Sequence, residues 1–371
     1  MHRCSRFLGR RPALFAIALL GLGWPGSRAA MAADASAKPL HAMEAAISRG
    51  EFPKTTSVLV MRKGRLVYEK YFGDGGPQVL NNTRSATKSI TALAIGAAMA
   101  DGSIRALDQP AFGFFGDLRP FQHDGPLKED ITLADLLTMS SALDCNDDVA
   151  ASPGNEDNMH PQPVWTRWAV DLPTKPDYRR DATGRGPFAY CTAGAMLLGQ
   201  VVERATGVRV DRYVERRLLE PLGIRRFEWA KSPAGEIMTG GGLLLTARDL
   251  GKIAQLVLDE GQWHGRSLLP PPFIQDALTV HRNAYPGQDY GYFFWHRQYA
   301  TTCRQTDAWF MAGNGGNAIL VFKDLDAVVV VTRENYNKRG MHEETIRLVQ
   351  DYVLPALPCT GTAITSGGER G

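Results

Sequence analysis

The sequence lacks any hydrophobic run long enough to cross a membrane. Its longest apolar stretch, from Ala13 to Gly23, covers about half of the roughly 20 residues that a transmembrane helix needs. Arginines precede this stretch and the small residues 30–33 follow it, an order typical of a cleaved export signal. We therefore expect a signal peptide over residues 1–33, a periplasmic or secreted mature protein, and no integral membrane segment after cleavage. A disordered N-terminus is the alternative, and Arg10-Arg11 leaves open whether export follows the general or the twin-arginine route.

The sequence also lacks an excess of either charge. Its 42 lysines and arginines nearly balance its 39 aspartates and glutamates, for a formal net charge of +3. The expected leader holds five arginines and no acidic residue, so the mature chain carries a net charge near −2. A nearly neutral surface argues against a nucleic-acid partner. With 44% hydrophobic residues, a mature chain of about 340 residues can bury a large core, in one large domain or two.

Histidines are few and scattered, and no group of them has the spacing of metal ligands. We therefore predict no metal site and no cofactor. The histidines outside the leader are His41, His123, His160, His264, His281, His296 and His342.

Cysteines are also rare. Once Cys4 leaves with the signal peptide, the chain retains Cys145, Cys191, Cys303 and Cys359. An even number in an exported chain favours disulfides, with three possible connectivities, over four free thiols. Their positions in the sequence alone leave the pairing open.

Hydrophobic patterning divides the chain into two ends rich in strands and a helical middle. Strands are predicted over 56–61, 65–72, 290–295, 308–312, 318–322 and 327–332, and helices over 39–49, 85–100, 131–139, 192–206, 210–220, 246–260 and 342–354. Strands from both ends indicate one sheet with an insertion between them. We expect a discontinuous sheet domain over 34–84 and 286–358, a helical domain over 85–285, and a flexible tail over 359–371. The polar stretch 146–163 is too long for a simple connection and is a candidate binding loop.

The helical domain begins with a reactive pair, Ser85 and Lys88. Three residues apart on a helix, their Cβ atoms lie about 5–6 Å from each other on one face, so the amine can reach the hydroxyl. A serine hydroxyl needs a base to take its proton, and lysine can be that base only when it is uncharged. The apolar residues 90–100 that follow would bury the amine and lower its pKa. Ser85 and Lys88 are therefore candidate catalytic residues, although the bare pattern also arises by chance and needs partners.

Two other segments offer such partners. Tyr190 lies at a predicted junction between loop and helix, where its phenol could pass a proton to or from a nearby oxygen. A structural tyrosine at a buried helix end is the alternative. The glycine-rich residues 312–317 lie between two predicted strands, where a substrate could approach the backbone and an N–H group could stabilise an oxyanion. An ordinary hairpin turn is the alternative for this segment.

Together these segments resemble the serine β-lactamase and penicillin-binding-protein superfamily, in the branch that contains class C β-lactamases, related carboxylesterases and the nylon-oligomer (aminohexanoate-dimer) hydrolases. The resemblance extends over nearly the whole mature chain, through blocks in the same order. These blocks are Arg84–Ser89, Ala100–Ile104 with Leu107-Asp108, Ile131–Leu143, Glu220–Ile224 and Gly241–Leu250. The resemblance implies an α/β fold of the α+β type, a mainly antiparallel sheet flanked by helices, with an inserted helical domain and the site between the two.

The resemblance also implies residue roles in an acyl-enzyme hydrolase that acts on a small-molecule ester or amide. Ser85 would be the nucleophile, Lys88 its proton acceptor and Tyr190 the second acid/base. Asn314-Gly315-Gly316 would occupy the strand motif that is Lys-Thr-Gly or His-x-Gly in many relatives. The backbone N–H groups of Ser85 and Asn317 are the candidates for the oxyanion hole.

Two departures from the family pattern bear on the substrate. Lactamases usually have Tyr-x-Asn where this chain has Tyr190-Cys191-Thr192, and a cationic Lys where it has Asn314. Without that Lys, a carboxylate substrate loses a charge-assisted hydrogen bond of about 1.5–3 kcal/mol. Both departures favour an ester or linear amide. A β-lactamase or D-alanyl-D-alanine peptidase is the first alternative, and a non-catalytic ligand-binding protein with this fold is the second.

Within this resemblance one cysteine pairing is favoured. A bridge from Cys191, beside Tyr190, to Cys145 would fix the loop after residue 140 to the catalytic wall. The remaining pair would be Cys303 with Cys359.

Overall fold

The computed structural model of the protein describes residues 26–301 and 305–357, apart from the side chains of residues 26–36. Residues 1–25 of the expected signal peptide, the expected tail and the Cys303–Cys359 pairing lie outside the described residues. Within these ranges, no helix combines the length and the apolar character that a membrane crossing needs.

The strands form one large sheet and two small ones. In the described ranges they are β1 (Thr55–Arg62), β2 (Arg65–Tyr71), β3 (Asn81–Asn82), β4 (Glu228–Trp229), β5 (Leu243–Leu245), β6 (Gln262–Trp263), β7 (Arg266–Ser267), β8 (Arg282–Tyr285), β9 (Gln288–Tyr290), β10 (Trp295–Ala300), β11 (Gln305–Gly313), β12 (Asn317–Phe322) and β13 (Ala327–Arg333). The large sheet has the order β2-β1-β13-β12-β11-β10-β9-β8, and every neighbouring pair is antiparallel. This confirms the predicted mainly antiparallel sheet built from both ends of the chain.

Helices lie on both faces of this sheet. In the sequence, most of them lie between β2 and β8. They are α1 (Gly26–Ser48), α2 (Thr87–Ala100), α3 (Pro126–Glu129), α4 (Leu133–Leu137), α5 (Glu156–Met159), α6 (Trp165–Val170), α7 (Thr192–Thr206), α8 (Val210–Val214), α9 (Ala247–Leu258), α10 (Pro271–Ala277), α11 (Met341–Leu348) and α12 (Leu354–Ala356). Short 3-10 turns cover Arg84–Ala86, Ala111–Leu118 and Lys323–Leu325, and π-helical turns cover Glu215–Leu219 and Val349–Val353.

The central strands are apolar on both faces, which is why helices cover both. In β13, Val329 and Val331 belong to one hydrophobic cluster with Met43 of α1. Val328 and Val330, which point to the opposite face because side chains alternate along a strand, belong to the larger cluster that includes α9. Helix α2 runs through that larger cluster and packs against α7. This packing brings the start of α2, with Ser85, next to the start of α7, with Tyr190.

The region 290–295 is not the single strand that the sequence predicts. Strand β9 ends and β10 begins within it, and between them Phe293 has a left-handed φ of +58°. The Phe293 N–H donates to the Leu137 carbonyl at 3.0 Å, and the Phe293 carbonyl accepts from Ser89 Oγ at 2.5 Å. Contacts to the helical part thus replace the sheet ladder here, and they override the strand propensity of an aromatic run.

Candidate active site

The candidate nucleophile lies in a tight turn at the start of α2. Ser85 is the middle residue of the 3-10 turn, and α2 follows directly. Arg84, just before it, has a φ of +52°, a conformation that is costly for a non-glycine residue and that recurs at functional sites as well as in turns. The Ser85 side chain is half-buried, whereas residues 87–98 of α2 are all buried. The hydroxyl therefore lies at the accessible end of a rigid element.

Lys88 is buried directly beside this hydroxyl. Its side chain is 1% exposed, and its Nζ lies 3.0 Å from Ser85 Oγ. The Nζ also donates a hydrogen bond of 2.6 Å to the Gly240 carbonyl. Burial lowers the pKa of Lys88, because the ammonium form loses its hydration, while the nearby Glu156 and Asp147 carboxylates act in the opposite direction. The net shift favours the neutral amine, which is the form that can accept the proton of Ser85.

Tyr190 lies beside both groups. The Lys88 Nζ is 5.0 Å from the centroid of the Tyr190 ring, and the Ser85 hydroxyl is a hydrogen-bonding neighbour of the phenol. Burial raises the pKa of Tyr190, and the interaction with Ser85 opposes this only in part. The phenol therefore stays protonated at neutral pH, so it can donate a proton. The structure thus brings the three predicted catalytic residues together.

A disulfide and an aspartate fix the backbone around Tyr190. Cys145 and Cys191 are joined, which is the pairing expected from the family resemblance. The Asp147 N–H donates to the Tyr190 carbonyl at 2.8 Å, and the Asp147 carboxylate accepts from the Thr192 N–H at 2.8 Å. The loop that begins at Cys145 thus holds the residues on each side of the phenol.

Thr192 occupies the position where lactamases usually carry an asparagine amide. Its side chain is fully buried, and its hydroxyl donates to Glu156 at 2.8 Å. No group at this position is left to contact a substrate amide. The sequence did not single out Glu156, Asp147 or Gly240, since none belongs to a motif there; the polar loop 146–163 was the available signal for the two acidic residues.

The strand next to the nucleophile ends at Gly313. A Cβ atom at this position would lie 1.8 Å from the Thr83 carbonyl oxygen and 3.1 Å from the Ser85 nitrogen, so β11 approaches the nucleophile turn as closely as only glycine permits. Asn314-Gly315-Gly316 form the turn after this strand, with φ of +97° at Gly315 and +84° at Gly316. These positive φ values place the three residues in the turn that follows β11, because they do not fit an extended strand. Their correspondence to the strand motif of the family stays a prediction.

Asn317, the second predicted oxyanion donor, has a different environment. Its side chain is 1% exposed. The side-chain amide donates through Nδ2 to the Asn314 carbonyl at 2.8 Å and accepts through Oδ1 from the Arg333 backbone N–H at 2.9 Å. These bonds tie the turn to β13. The residue that lies next to the backbone nitrogen of Ser85 is Gly313, four positions before Asn317.

Two backbone N–H groups, one in the nucleophile turn and one directly after β11, are free to bind a ligand in the part of the chain that the structure describes. Within residues 26–301 and 305–357, neither the Ser85 N–H nor the Asn314 N–H has a hydrogen-bond acceptor. Asn314 directly follows Gly313, so its N–H leaves the strand at the point that contacts the nucleophile turn. In the same ranges, no cluster of His, Cys, Asp and Glu has the arrangement of a metal site.

This fold and site define a class, the proteins that resemble β-lactamases and penicillin-binding proteins. Residues 51–351 match the model of the Beta-lactamase family, and the chain belongs to that family. Over 241 residues it is 27% identical to the 6-aminohexanoate-dimer hydrolase of Paenarthrobacter ureafaciens; the match covers 61% of this chain and 57% of that protein, so it spans little more than half of the relative.

Two solved structures share the fold. EstCE1, a hydrolase with promiscuous acyltransferase activity, is 16% identical with a TM-score of 0.66, and the match covers 86% of this chain and 100% of that one. A D-stereospecific amidohydrolase from Streptomyces sp. is 18% identical with a TM-score of 0.63, covering 85% of this chain and 98% of that one.

Proposed function

We propose that this protein is an exported serine hydrolase that cleaves an ester or a linear amide through an acyl-enzyme on Ser85. The observation that carries the proposal is the buried amine of Lys88 at 3.0 Å from Ser85 Oγ, with the protonated phenol of Tyr190 beside both. A protein that only bound a ligand would have no need of a lysine whose pKa is lowered by burial next to a half-exposed serine.

The chemistry follows from the charge states of the two partners. Lys88 takes the proton from Ser85 as Oγ forms a bond to the substrate carbonyl carbon. The oxyanion that develops accepts hydrogen bonds from the Ser85 and Asn314 N–H groups. As the bond to the leaving group breaks, Tyr190 donates its proton to the departing oxygen or nitrogen and recovers a proton from the Lys88 ammonium. Water then attacks the acyl-enzyme by the reverse sequence of proton transfers and releases Ser85.

Several contacts support an ester or linear amide over a β-lactam. Thr192 is buried against Glu156 and offers no amide to a substrate. Strand β11, which contacts the nucleophile turn at Gly313, contains no lysine or arginine, so the strand contributes no cation for a carboxylate. The relatives named as an aminohexanoate-dimer hydrolase and an amidohydrolase are consistent with linear amides.

Export is part of the proposal. It is supported by the basic and apolar leader of the sequence and by the Cys145–Cys191 disulfide, since disulfides persist mainly outside the reducing cytosol. The mass of the protein recovered from the cell envelope or medium tests this part, because cleavage after residue 33 removes a defined segment.

Active-site titration with a fluorophosphonate, read by mass spectrometry, tests the catalytic proposal. We expect one adduct, on the peptide that carries Ser85, and none in Ser85→Ala. A folded protein without an adduct would instead indicate a non-catalytic binding protein. Turnover of p-nitrophenyl esters and short amide oligomers without turnover of nitrocefin supports the proposed substrate class, whereas rapid nitrocefin hydrolysis would indicate a β-lactamase.

A further inference from the structure

The ring of Tyr190 has a second neighbour besides Lys88. The indole of Trp295, at the start of β10, stacks on it with 5.7 Å between the ring centroids and 25° between the planes. Both rings are only partly buried, so this contact lies at the cleft and not within the core. The Tyr190 phenol ring therefore packs against the Trp295 indole of the large sheet.

Trp295 is itself held from several sides. Tyr285 of β8 stacks on it at 5.7 Å and 17°, while Tyr290 and Phe188 contact it edge-on at 4.7 Å and 6.2 Å. Tyr190 and Tyr285 each stack on Trp295, and we call these three rings the aromatic stack. The indole in the middle of this stack has little freedom to move.

The loop that holds the backbone of Tyr190 also binds Tyr285, at the other end of the stack. The Tyr285 hydroxyl donates to the Asp148 carboxylate at 2.5 Å. Asp148 directly follows Asp147, whose N–H bonds the Tyr190 carbonyl. One short loop segment thus fixes the phenol's backbone at one end of the stack and the Tyr285 ring at the other.

We propose that Trp295 is a positioning residue that keeps the Tyr190 phenol within proton-transfer distance of the leaving group. This inference rests on the proposed function, because it concerns the proton that Tyr190 donates. A general acid works only within about 2.6–3.2 Å of its target, and a displacement of about 1 Å can lower a rate up to a hundredfold. The backbone of Tyr190 is fixed by its loop, but its ring can still turn about the side-chain bonds. The stack on Trp295 removes that freedom.

Leaving groups that differ in their need for a proton test this role. p-Nitrophenyl butyrate and ethyl butyrate give the same acyl-enzyme, but nitrophenolate departs as a stable anion, whereas ethoxide must be protonated. The ratio kcat/KM reports acylation for both esters. In Trp295→Leu we expect kcat/KM for ethyl butyrate to fall at least about tenfold, which is part of the roughly hundredfold or larger contribution of general acid catalysis to a rate, and kcat/KM for the nitrophenyl ester to change less than about threefold. Tyr190→Phe should shift the ratio of the two values in the same direction.

Further variants separate positioning from damage to the fold. Trp295→Phe keeps a stacking ring and should restore most of the ratio, and Trp263→Leu, the same substitution in the distant β6–β7 hairpin, should leave both values unchanged. If Trp295→Leu does not fold, Tyr285→Ala, at a side chain that is 40% exposed, removes one side of the stack and should shift the ratio more weakly. Equal losses for the two esters in these stack variants, or no loss for either, would overturn the proposal. Failure of the proposed function is distinct, since the wild-type protein would then hydrolyse neither ester and carry no adduct on Ser85.

Discussion

At the scale of single residues, the charge state of Lys88 decides what Ser85 can do. An exposed lysine would be almost fully protonated at neutral pH and could accept nothing from a hydroxyl. Burial at 1% exposure lowers the pKa of Lys88, and the Gly240 carbonyl orients the amine toward Ser85. In the proposed mechanism, Ser85 as nucleophile and Lys88 as base therefore work as one unit.

We expect Ser85→Ala and Lys88→Ala to lower kcat to similar extents, by at least about a thousandfold, with no further loss in the double variant. Members of one catalytic unit are not additive, because the first removal already abolishes the shared step. Steady-state kinetics with p-nitrophenyl butyrate measures this, with the exposed Lys323→Ala as the control for loss of a lysine. Near-full turnover by Lys88→Ala would mean that another group is the base.

The candidate catalytic residues could be singled out from the sequence because their identity and spacing suggest the chemistry. Ser85 and Lys88 are one helical turn apart, and Tyr190 belongs to a recognisable junction. Gly240 was missed because its contribution comes from a backbone carbonyl that the fold brings to Lys88 from 152 residues away. The predicted strand over 308–312 ends one residue before the observed end of β11 at Gly313, but its sequence does not show that Gly313 contacts the nucleophile turn.

At the scale of elements, the site depends on segments that meet without sharing a sequence motif. The loop after α4 contacts the start of α7 through the Cys145–Cys191 bridge, and the end of β11 contacts the turn before α2. The disulfide bond enforces the contact between the loop and α7. The absence of a Cβ at Gly313 permits the contact between β11 and the turn before α2.

We predict that removing the Cys145–Cys191 bridge lowers activity more than it lowers stability. The bridge fixes the backbone next to Tyr190, and a displacement of about 1 Å at a catalytic group can cost up to a hundredfold in rate. At 25 °C, the Cys145→Ser/Cys191→Ser variant should remain folded by circular dichroism while kcat/KM falls about tenfold or more. Adding reductant should lower the activity of the wild type and leave that variant unchanged. Free thiols at both positions in the oxidised wild type, found by mass mapping, would end this account.

We predict that Gly313→Ala is strongly deleterious. The added methyl would lie 1.8 Å from the Thr83 carbonyl oxygen, so the strand or the nucleophile turn must shift. Such overpacking typically costs about 1–3 kcal/mol of stability, and the shift would displace the Ser85 amide. Thermal unfolding and kcat/KM should both fall. Gly116→Ala, where an added Cβ meets no atom within 4 Å, is the matched control and should change neither. Unchanged activity in Gly313→Ala would contradict the role we give to the end of β11.

The hydrophobic pattern of the sequence predicted some strands of the large sheet and missed others. The valine-rich β13 and the apolar β12 were predicted because both of their faces are buried. Strands β8 and β10 were missed because their sequences are mostly polar and partly exposed, which hides the alternation that marks a half-buried strand. Pairing with a neighbouring strand stabilises them, and this information is not local.

At the scale of the whole molecule, the helical part buries a charged group of its own. The Lys128 side chain is 1% exposed; its Nζ donates to the Val170 carbonyl at 2.7 Å and lies 5.5 Å from the ring centroids of Phe112 and Phe121. Burial lowers the pKa of Lys128 to about 8. A buried ammonium thus opposes folding at neutral pH.

This lysine makes stability depend on pH in a defined direction. Between about 8 and the ordinary value of 10.5, the unfolded chain binds more protons at Lys128 than the folded chain does, so the free energy of unfolding rises with pH. Below pH 8 the lysine is charged in both states and its contribution is constant. Relative to Lys128→Met, the wild type should therefore gain stability from pH 8 to pH 10.5 in denaturant unfolding. A difference that stays flat or falls over this range would contradict the burial effect.

The proposed function requires that the Ser85 hydroxyl form a covalent acyl-enzyme. The most direct measurement is acid quenching during turnover of p-nitrophenyl butyrate, followed by intact and peptide mass spectrometry. We predict a butyryl group on the peptide that carries Ser85, absent from Ser85→Ala. Turnover with no acylated protein, or with the acyl group on another residue, would contradict it.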